Sequence, residues 1–147
     1  MQNIIQRDII VNASKESVYE AIADPVQVTK WFPETLEGDY QVGGYPIFGF
    51  GDHGKNQVFI VAAKPHEYFA YRWMPGATNF LGDVLTVANT LVEFKITTLA
   101  ADKCKVTLIE SGFADLPTDL KEAAFNQNSG GWDFMLDRFE KYFVVNK

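Results

Sequence analysis

The sequence predicts an α+β fold: one strand, two short helices, about six further antiparallel strands and one long C-terminal helix. Strand and turn signals alternate from about residue 36 to residue 111. After Pro117, apolar residues recur at the spacing of one helix face. The apolar face of a sheet has to be covered, and this last helix is the only predicted element large enough to cover it.

The N-terminal region is predicted to contain the first strand and both short helices. Residues 3–12 are rich in isoleucine and valine, as strands are. Ser14 is suited to cap the helix that follows. The pair Asp24-Pro25 ends this helix, because proline disfavours helical geometry in the residue before it. A second short helix is predicted to carry Trp31.

The central region is predicted to alternate strands with short turns. Strands are expected on both sides of a hairpin turn at residues 42–45, the second of them near 45–50, and then near 56–63, 68–74, 88–98 and 104–111. Strands that are joined by short turns are antiparallel neighbours. A longer loop is predicted at 75–86, with apolar residues among its turn formers. Such a loop could be a lid over a cavity, an interface with a second subunit or a segment folded back onto the core.

The C-terminal helix is predicted to carry an apolar stripe on one face. Its members are Phe125, Trp132, Met135, Leu136, Phe139 and Phe143. Two adjacent glycines, Gly130 and Gly131, interrupt this helical pattern. Their missing side chains could leave room for a ligand or allow a bend. Equally, the backbone could pack closely on the sheet there, or the helix could begin only near Gly131.

Composition restricts the class of protein. A chain of 147 residues fits a single domain, 1–147, and 47% of its residues are hydrophobic, which argues against disorder. The single cysteine, Cys104, cannot form an internal disulfide, and the N-terminus does not resemble a secretory signal. We therefore expect a cytoplasmic protein. No apolar stretch reaches about 18 residues, so no integral membrane contact is expected.

Charge and motifs exclude several kinds of site. A net charge of −6 disfavours binding to nucleic acid or to anionic lipid. The sequence lacks clustered metal ligands, a phosphate-binding loop and a nucleophile elbow. We therefore predict no metal, no cofactor and no catalytic residue, although a cyclase could rely on cavity shape with one or two polar groups.

Several segments resemble a known family. They are residues 12–22, Asp24-Pro25, Trp31-Phe32, 65–73, 106–113 and Gly131-Trp132. In this order they resemble the START-like helix-grip superfamily (SRPBCC, polyketide cyclase and birch-pollen-allergen-like). Within it they are similar to homologues of the C-terminal domain of the activator of the heat-shock-protein-90 ATPase. The resemblance implies a seven-stranded antiparallel sheet wrapped around the long helix, with an apolar cavity between sheet and helix.

The resemblance does not imply one activity, because the superfamily includes carriers, sensors, polyketide cyclases and co-chaperones. Our first hypothesis is a carrier or sensor that binds a small hydrophobic molecule, such as a lipid, a polyketide or an aromatic metabolite. The alternatives are an interaction module of the chaperone-cofactor kind, and a cyclase or aromatase. A homodimer or a chaperone partner is compatible with the hypothesis of an interaction module.

The predicted cavity wall combines aromatic residues of the strands, the short helices and the long helix. Alternation along the strand 68–74 places Phe69, Tyr71 and Trp73 on one face, towards the helix. Ordinary core packing would produce the same pattern. The complete set of candidates is Trp31, Phe48, Phe50, Phe69, Tyr71, Trp73, Phe94, Glu110, Trp132, Met135 and Phe139.

Glu110 is the most informative single residue. It shares the strand parity of Cys104, Val106 and Leu108, which indicates a buried side chain. A buried carboxylate has to be paired, hydrated or protonated, and it could hold a ligand hydroxyl or act as a general acid or base. A strand bulge or a position at the open rim would instead expose it to water.

Overall fold

A computed structural model describes residues 3–76 and 79–145. Residues 1, 2, 146 and 147 of the predicted domain lie outside the described residues, and so do residues 77 and 78 of the predicted loop 75–86. The described elements, in chain order, are β1 (Ile4–Val11), α1 (Lys15–Ala23), β2 (Thr35–Glu37), β3 (Ile47–Gly49), β4 (Lys55–Gln57), β5 (Phe59–Lys64), β6 (Tyr68–Trp73), β7 (Thr90–Ala100), β8 (Lys103–Ser111) and α2 (Lys121–Val145).

The strands form two antiparallel sheets. One has the order β1-β8-β7-β6-β5 and the other the order β2-β3-β4. The α+β class and the helix-grip arrangement are confirmed. The predicted number of seven strands is wrong, because the described residues form eight.

The difference arises near Val58, which separates β4 from β5 within the predicted strand 56–63. Backbone hydrogen bonds still connect the sheets here: the amide of Val58 donates to the carbonyl of Pro46 at 2.9 Å, and that of Ile60 to Gly44 at 3.0 Å. The two sheets are therefore joined by backbone pairing between residues 44–46 and 58–60.

Two short helices follow β1, as predicted. The Ser14 hydroxyl accepts a hydrogen bond from the amide of Ser17 and caps α1. The second helix is a single 3-10 turn, Gln27–Lys30, which the Asp24 carboxylate caps by accepting from the amide of Gln27 at 2.9 Å. Trp31 directly follows this turn and is buried in the core, where its indole nitrogen donates to the carbonyl of Ala21 at 2.8 Å.

Helix α2 buries the predicted apolar stripe. Trp132, Leu136, Phe139 and Phe143 are buried, and Met135 packs against them from the edge. The ring of Phe139 lies 4.6 Å from that of Trp31, edge to face. The core is therefore a closely packed aromatic cluster between the sheets, the short helices and α2.

The glycine pair lies inside an uninterrupted helix that begins at Lys121. A Cβ atom added at Gly130 or at Gly131 would meet no atom within 4 Å. Neither close packing on the sheet nor a helix start near Gly131 therefore explains the pair. The missing side chains leave open space beside the helix.

We predict that Gly130→Ala raises the free energy of unfolding by about 0.5–1 kcal/mol, because alanine loses less conformational entropy in a helix and meets no neighbour. Urea denaturation measures the change. The control is Gly112→Ala, which should lower stability, since Gly112 has a φ of 103° that alanine adopts only with strain. A loss of stability in both variants would contradict the description of α2.

Candidate functional site

A cleft of about 570 Å³ opens between α2 and the segments that carry residues 50–56 and 73–76. Its volume lies within the range of small-molecule sites. Its lining consists of Phe32, Glu34, Phe50, Asp52, His53, Lys55, Asn56, Trp73, Met74, Pro75, Gly76, Gln127, Asn128, Gly131, Trp132, Phe134, Met135 and Arg138.

Three aromatic rings form the base of the cleft. The rings of Phe32 and Trp132 lie 5.2 Å apart and 31° from parallel, and those of Trp73 and Trp132 lie 5.8 Å apart at 33°. All three side chains are buried. By contrast, Phe134 lines the cleft with 62% of its surface exposed. The cleft therefore has an aromatic base and an accessible apolar side chain on α2.

Charged side chains also line the cleft. They are two acids, Glu34 and Asp52, and two bases, Lys55 and Arg138. Their formal charges cancel. The side chain of Lys55 also lies 3.9 Å from Glu37, which is outside the lining. The cleft therefore presents no net charge that would favour a strongly anionic or cationic ligand.

Directly behind the base lies Glu110, which is completely buried, as the strand parity predicted. Four side chains donate to its carboxylate. The indole nitrogen of Trp132 reaches Oε1 at 2.8 Å, and that of Trp73 reaches Oε2 at 2.9 Å. The Thr90 hydroxyl donates to Oε2 at 2.6 Å, and the Asn128 amide lies 3.0 Å from both oxygens.

This network replaces an ion pair. Among the residues that the structure describes, no basic side chain forms a salt bridge with Glu110. Neutral donors satisfy both oxygens instead, which is how a buried carboxylate becomes tolerable. The indole N–H groups of Trp73 and Trp132 are therefore directed at Glu110 and are already used. The indole N–H of Trp73 is therefore not available to orient a ligand.

Two buried polar atoms within residues 3–76 and 79–145 have no hydrogen-bond partner: the Tyr71 hydroxyl and Oδ1 of Asn56. Tyr71 is 1% exposed and does not line the cleft. Burial, and then the charge of Glu110, raises the pKa of the Tyr71 hydroxyl well above 10. Asn56 does line the cleft and is 6% exposed.

The structure divides the eleven predicted cavity residues into two groups. Four of them line the cleft: Phe50, Trp73, Trp132 and Met135. The other seven are buried in the packed interior: Trp31, Phe48, Phe69, Tyr71, Phe94, Glu110 and Phe139. Strand alternation identifies inward residues correctly, but it does not distinguish the centre of the core from its open end.

Sequence reasoning missed most of the lining, including Phe32 in the base and the side chains of Asn56, Asn128, Phe134 and Arg138. A signal for Asn128 exists, because it lies four residues before Trp132 and so on the same helix face. Asn56 belongs to a three-residue strand and has no comparable signal.

The described part of the loop 75–86 folds back onto the edge of β4. The amide of Phe80 donates to the carbonyl of Lys55 at 2.9 Å, and the amide of Gln57 donates to the carbonyl of Phe80 at 2.7 Å. This backbone pairing agrees with the third of the alternatives considered for the loop.

Within the described residues, no group of three or more histidine, cysteine or carboxylate side chains could hold a metal ion. No described helix is long and apolar enough to cross a membrane.

Comparison with known proteins identifies the family. Residues 12–144 match the family described as Activator of Hsp90 ATPase homolog 1-like protein. The chain belongs to this family. The resemblance stated from the sequence is thereby confirmed. No curated protein matches the chain.

Solved structures share the fold of this family member. DynU16, from the dynemicin biosynthetic locus, is 23% identical, with 100% of this chain and 49% of that chain covered and a TM-score of 0.78. The chain thus spans about half the length of DynU16. MLL2253 from Mesorhizobium loti is 15% identical, covers 98% of both chains and has a TM-score of 0.79. The Aha1 dimer from Colwellia psychrerythraea is 16% identical, covers 99% of both chains and has a TM-score of 0.75. At these identities the likeness shows the fold alone.

We predict that Glu110→Gln lowers the free energy of unfolding by about 2–3 kcal/mol. The two indole N–H groups bind different oxygens of Glu110, whereas the side chain of glutamine has one acceptor oxygen. Chemical denaturation followed by tryptophan fluorescence measures the change. The matched control is Glu93→Gln. Among the described residues, the carboxylate of Glu93 accepts a hydrogen bond from the half-buried Tyr68 hydroxyl alone, so this substitution should lower the free energy of unfolding clearly less. Equal losses in the two variants would contradict the role given to the network.

The unpartnered hydroxyl leads to a second prediction. Tyr71→Phe should raise stability at neutral pH by about 1 kcal/mol, because it removes a buried hydroxyl that makes no hydrogen bond. The raised pKa means that the folded state holds this proton more tightly than the unfolded state. The associated stability is present below about pH 10 and is lost as the pH rises further. The variant should therefore lose less stability than the wild type between about pH 9 and pH 11.

The control for this prediction is Tyr40→Phe at neutral pH. The buried Tyr40 hydroxyl donates to the carbonyl of Ile22 at 2.7 Å, so its removal should destabilise the fold by about 1 kcal/mol. If both variants shift the thermal midpoint in the same direction, the difference between a paired and an unpaired hydroxyl is refuted.

Proposed function

We propose that the protein binds a small, largely apolar molecule with a flat ring system in the cleft beside α2. The observation that carries this proposal is a volume of about 570 Å³ whose base consists of the rings of Phe32, Trp73 and Trp132. Aromatic rings provide a broad apolar surface and a preferred stacking geometry. An aromatic or polyketide-like metabolite fits such a base better than a flexible lipid chain does.

The residues around the aromatic base support the same proposal of a small apolar ligand. The glutamate behind the base orients both indoles through hydrogen bonds, so the rings are held in place before a ligand arrives. Preorganised side chains lower the entropic cost of binding. At Gly131 the lining lacks a side chain, and a Cβ atom there would meet open space. The volume next to the rings therefore depends on this position.

The comparisons support the proposal without deciding the ligand. The family match brings the helix-grip fold, and one structural neighbour, DynU16, comes from a biosynthetic locus. Cys104 is a free and buried thiol, which fits our proposal of a cytoplasmic location, since reducing compartments keep thiols reduced.

An interaction module is the second candidate. The family description names an ATPase activator, and one neighbour is described as a dimer. The exposed ring of Phe134 is the feature of this chain that a partner would cover. The partner would be a chaperone or a second copy of the chain, and sedimentation equilibrium separates the second copy from a monomer.

The decisive experiment fills part of the cleft with a new side chain. We predict that Gly131→Leu weakens binding of the neutral fluorescent probe N-phenylnaphthylamine at least about tenfold, because the new side chain occupies volume that the probe needs. Fluorescence titration of wild type and variant measures it. The matched control is Gly130→Leu, which makes the same helical substitution one residue away from the lining.

The expected result is wild-type binding in the Gly130 variant and binding weakened at least about tenfold in the Gly131 variant, with both at least as stable as the wild type. Absence of probe binding to the wild-type protein would refute the proposed function. Equal binding by both variants would show that the probe occupies another part of the molecule.

A further inference from the structure

One side chain of the cleft lining carries a buried hydrogen-bond acceptor that no described residue uses. Asn56 lies on β4, lines the cleft and is 6% exposed. Its Nδ2 donates to the carbonyl of Met74 at 3.0 Å. Its Oδ1 is buried and accepts no hydrogen bond from any described residue. Buried polar atoms in native proteins almost always have a partner, so this oxygen needs an explanation.

The orientation of the amide follows from its neighbour. The carbonyl of Met74 can only accept a hydrogen bond, so the side of the Asn56 amide that faces it must be the NH₂ group. The opposite orientation would place two acceptor oxygens against each other. Exchanging the amide nitrogen and oxygen therefore cannot remove the unsatisfied acceptor, which is a property of the site.

The donors at the base of the cleft are already occupied. The indole N–H groups of Trp73 and Trp132 and the amide of Asn128 all donate to Glu110. The charged residues of the lining cancel in formal charge, as described above. The cleft therefore combines apolar rings, no net charge and one buried acceptor in need of a donor.

We infer that the ligand is neutral and carries a hydrogen-bond donor, a hydroxyl or an amide N–H, next to its flat ring. The donor binds Oδ1 of Asn56 while the ring lies against Phe32, Trp73 and Trp132. This inference rests on the proposed function and specifies its ligand class: a phenol, an aromatic alcohol or a ring amide is selected over the corresponding ether or hydrocarbon.

The size of the preference follows from the energy of one neutral hydrogen bond, about 0.5–1.5 kcal/mol. This corresponds to about a three- to tenfold difference in dissociation constant. Isothermal titration of the wild-type protein with naphthol and with its methyl ether tests it, because the ether keeps the rings and the oxygen but lacks the donor. We expect naphthol to bind about three to ten times more tightly.

Substitution then locates the acceptor. Asn56→Leu keeps the size of the side chain and removes the acceptor, so naphthol should lose its advantage while the ether binds as to the wild type. The control is Asn79→Leu: the Asn79 amide accepts from the backbone of Lys55 at 3.0 Å but does not line the cleft. This variant should retain the preference for naphthol.

The outcomes separate the two proposals. If both compounds bind the wild type within about twofold of each other, the donor inference is overturned and the proposed function stands. If neither binds, both fail. Should Asn56→Leu not fold, side-chain amide NMR of the wild type decides instead: at saturation naphthol should shift the Asn56 NH₂ resonances clearly further than the ether does, and equal shifts would refute the inference.

Discussion

One buried carboxylate connects the parts of this fold. Glu110 lies on β8 and accepts hydrogen bonds from Trp73 at the end of β6, from Thr90 at the start of β7, and from Asn128 and Trp132 on α2. Three adjacent strands and the long helix thus meet at two oxygen atoms. A fully buried acid has to be satisfied completely, and two of its four donors belong to α2 while the other two belong to the sheet. The network therefore connects α2 to the sheet.

The same network determines the chemistry of the cleft. Because Glu110 takes both indole N–H groups, Trp73 and Trp132 line the cleft with their polar N–H groups already paired inside the protein. The carboxylate itself is 0% exposed and lies outside the lining. A role as an acid or base would require it to leave four donors. The arrangement supports our proposal of recognition by shape and stacking, with the unpaired oxygen of Asn56 as one polar contact.

The sequence was sufficient for the fold but only partly for the site. Periodicity located α2 and the inward parity of Glu110, since both depend on local spacing. The division of the strand 56–63 at Val58 depends on pairing with residues 44–46, which are distant in sequence. Likewise, whether an inward aromatic residue lies in the core or at its open end depends on where α2 crosses the sheet. Phe48 lies on β3 and Phe50 directly follows this strand, yet of the two only Phe50 lines the cleft.

Packing does not explain both glycines of the pair in α2. Glycine inside a helix costs about 0.5–1 kcal/mol relative to alanine, and neither residue has a positive φ or a close backbone contact that would require it. At Gly131, which lines the cleft, a side chain would enter the cleft, so a requirement for an open cleft would offset the cost of this glycine. At Gly130, which lies outside the lining, nothing in the structure explains the glycine. A domain that only has to be stable gains nothing from a glycine at this position of the helix, and this is the physical reason to connect Gly131 with a ligand in the cleft.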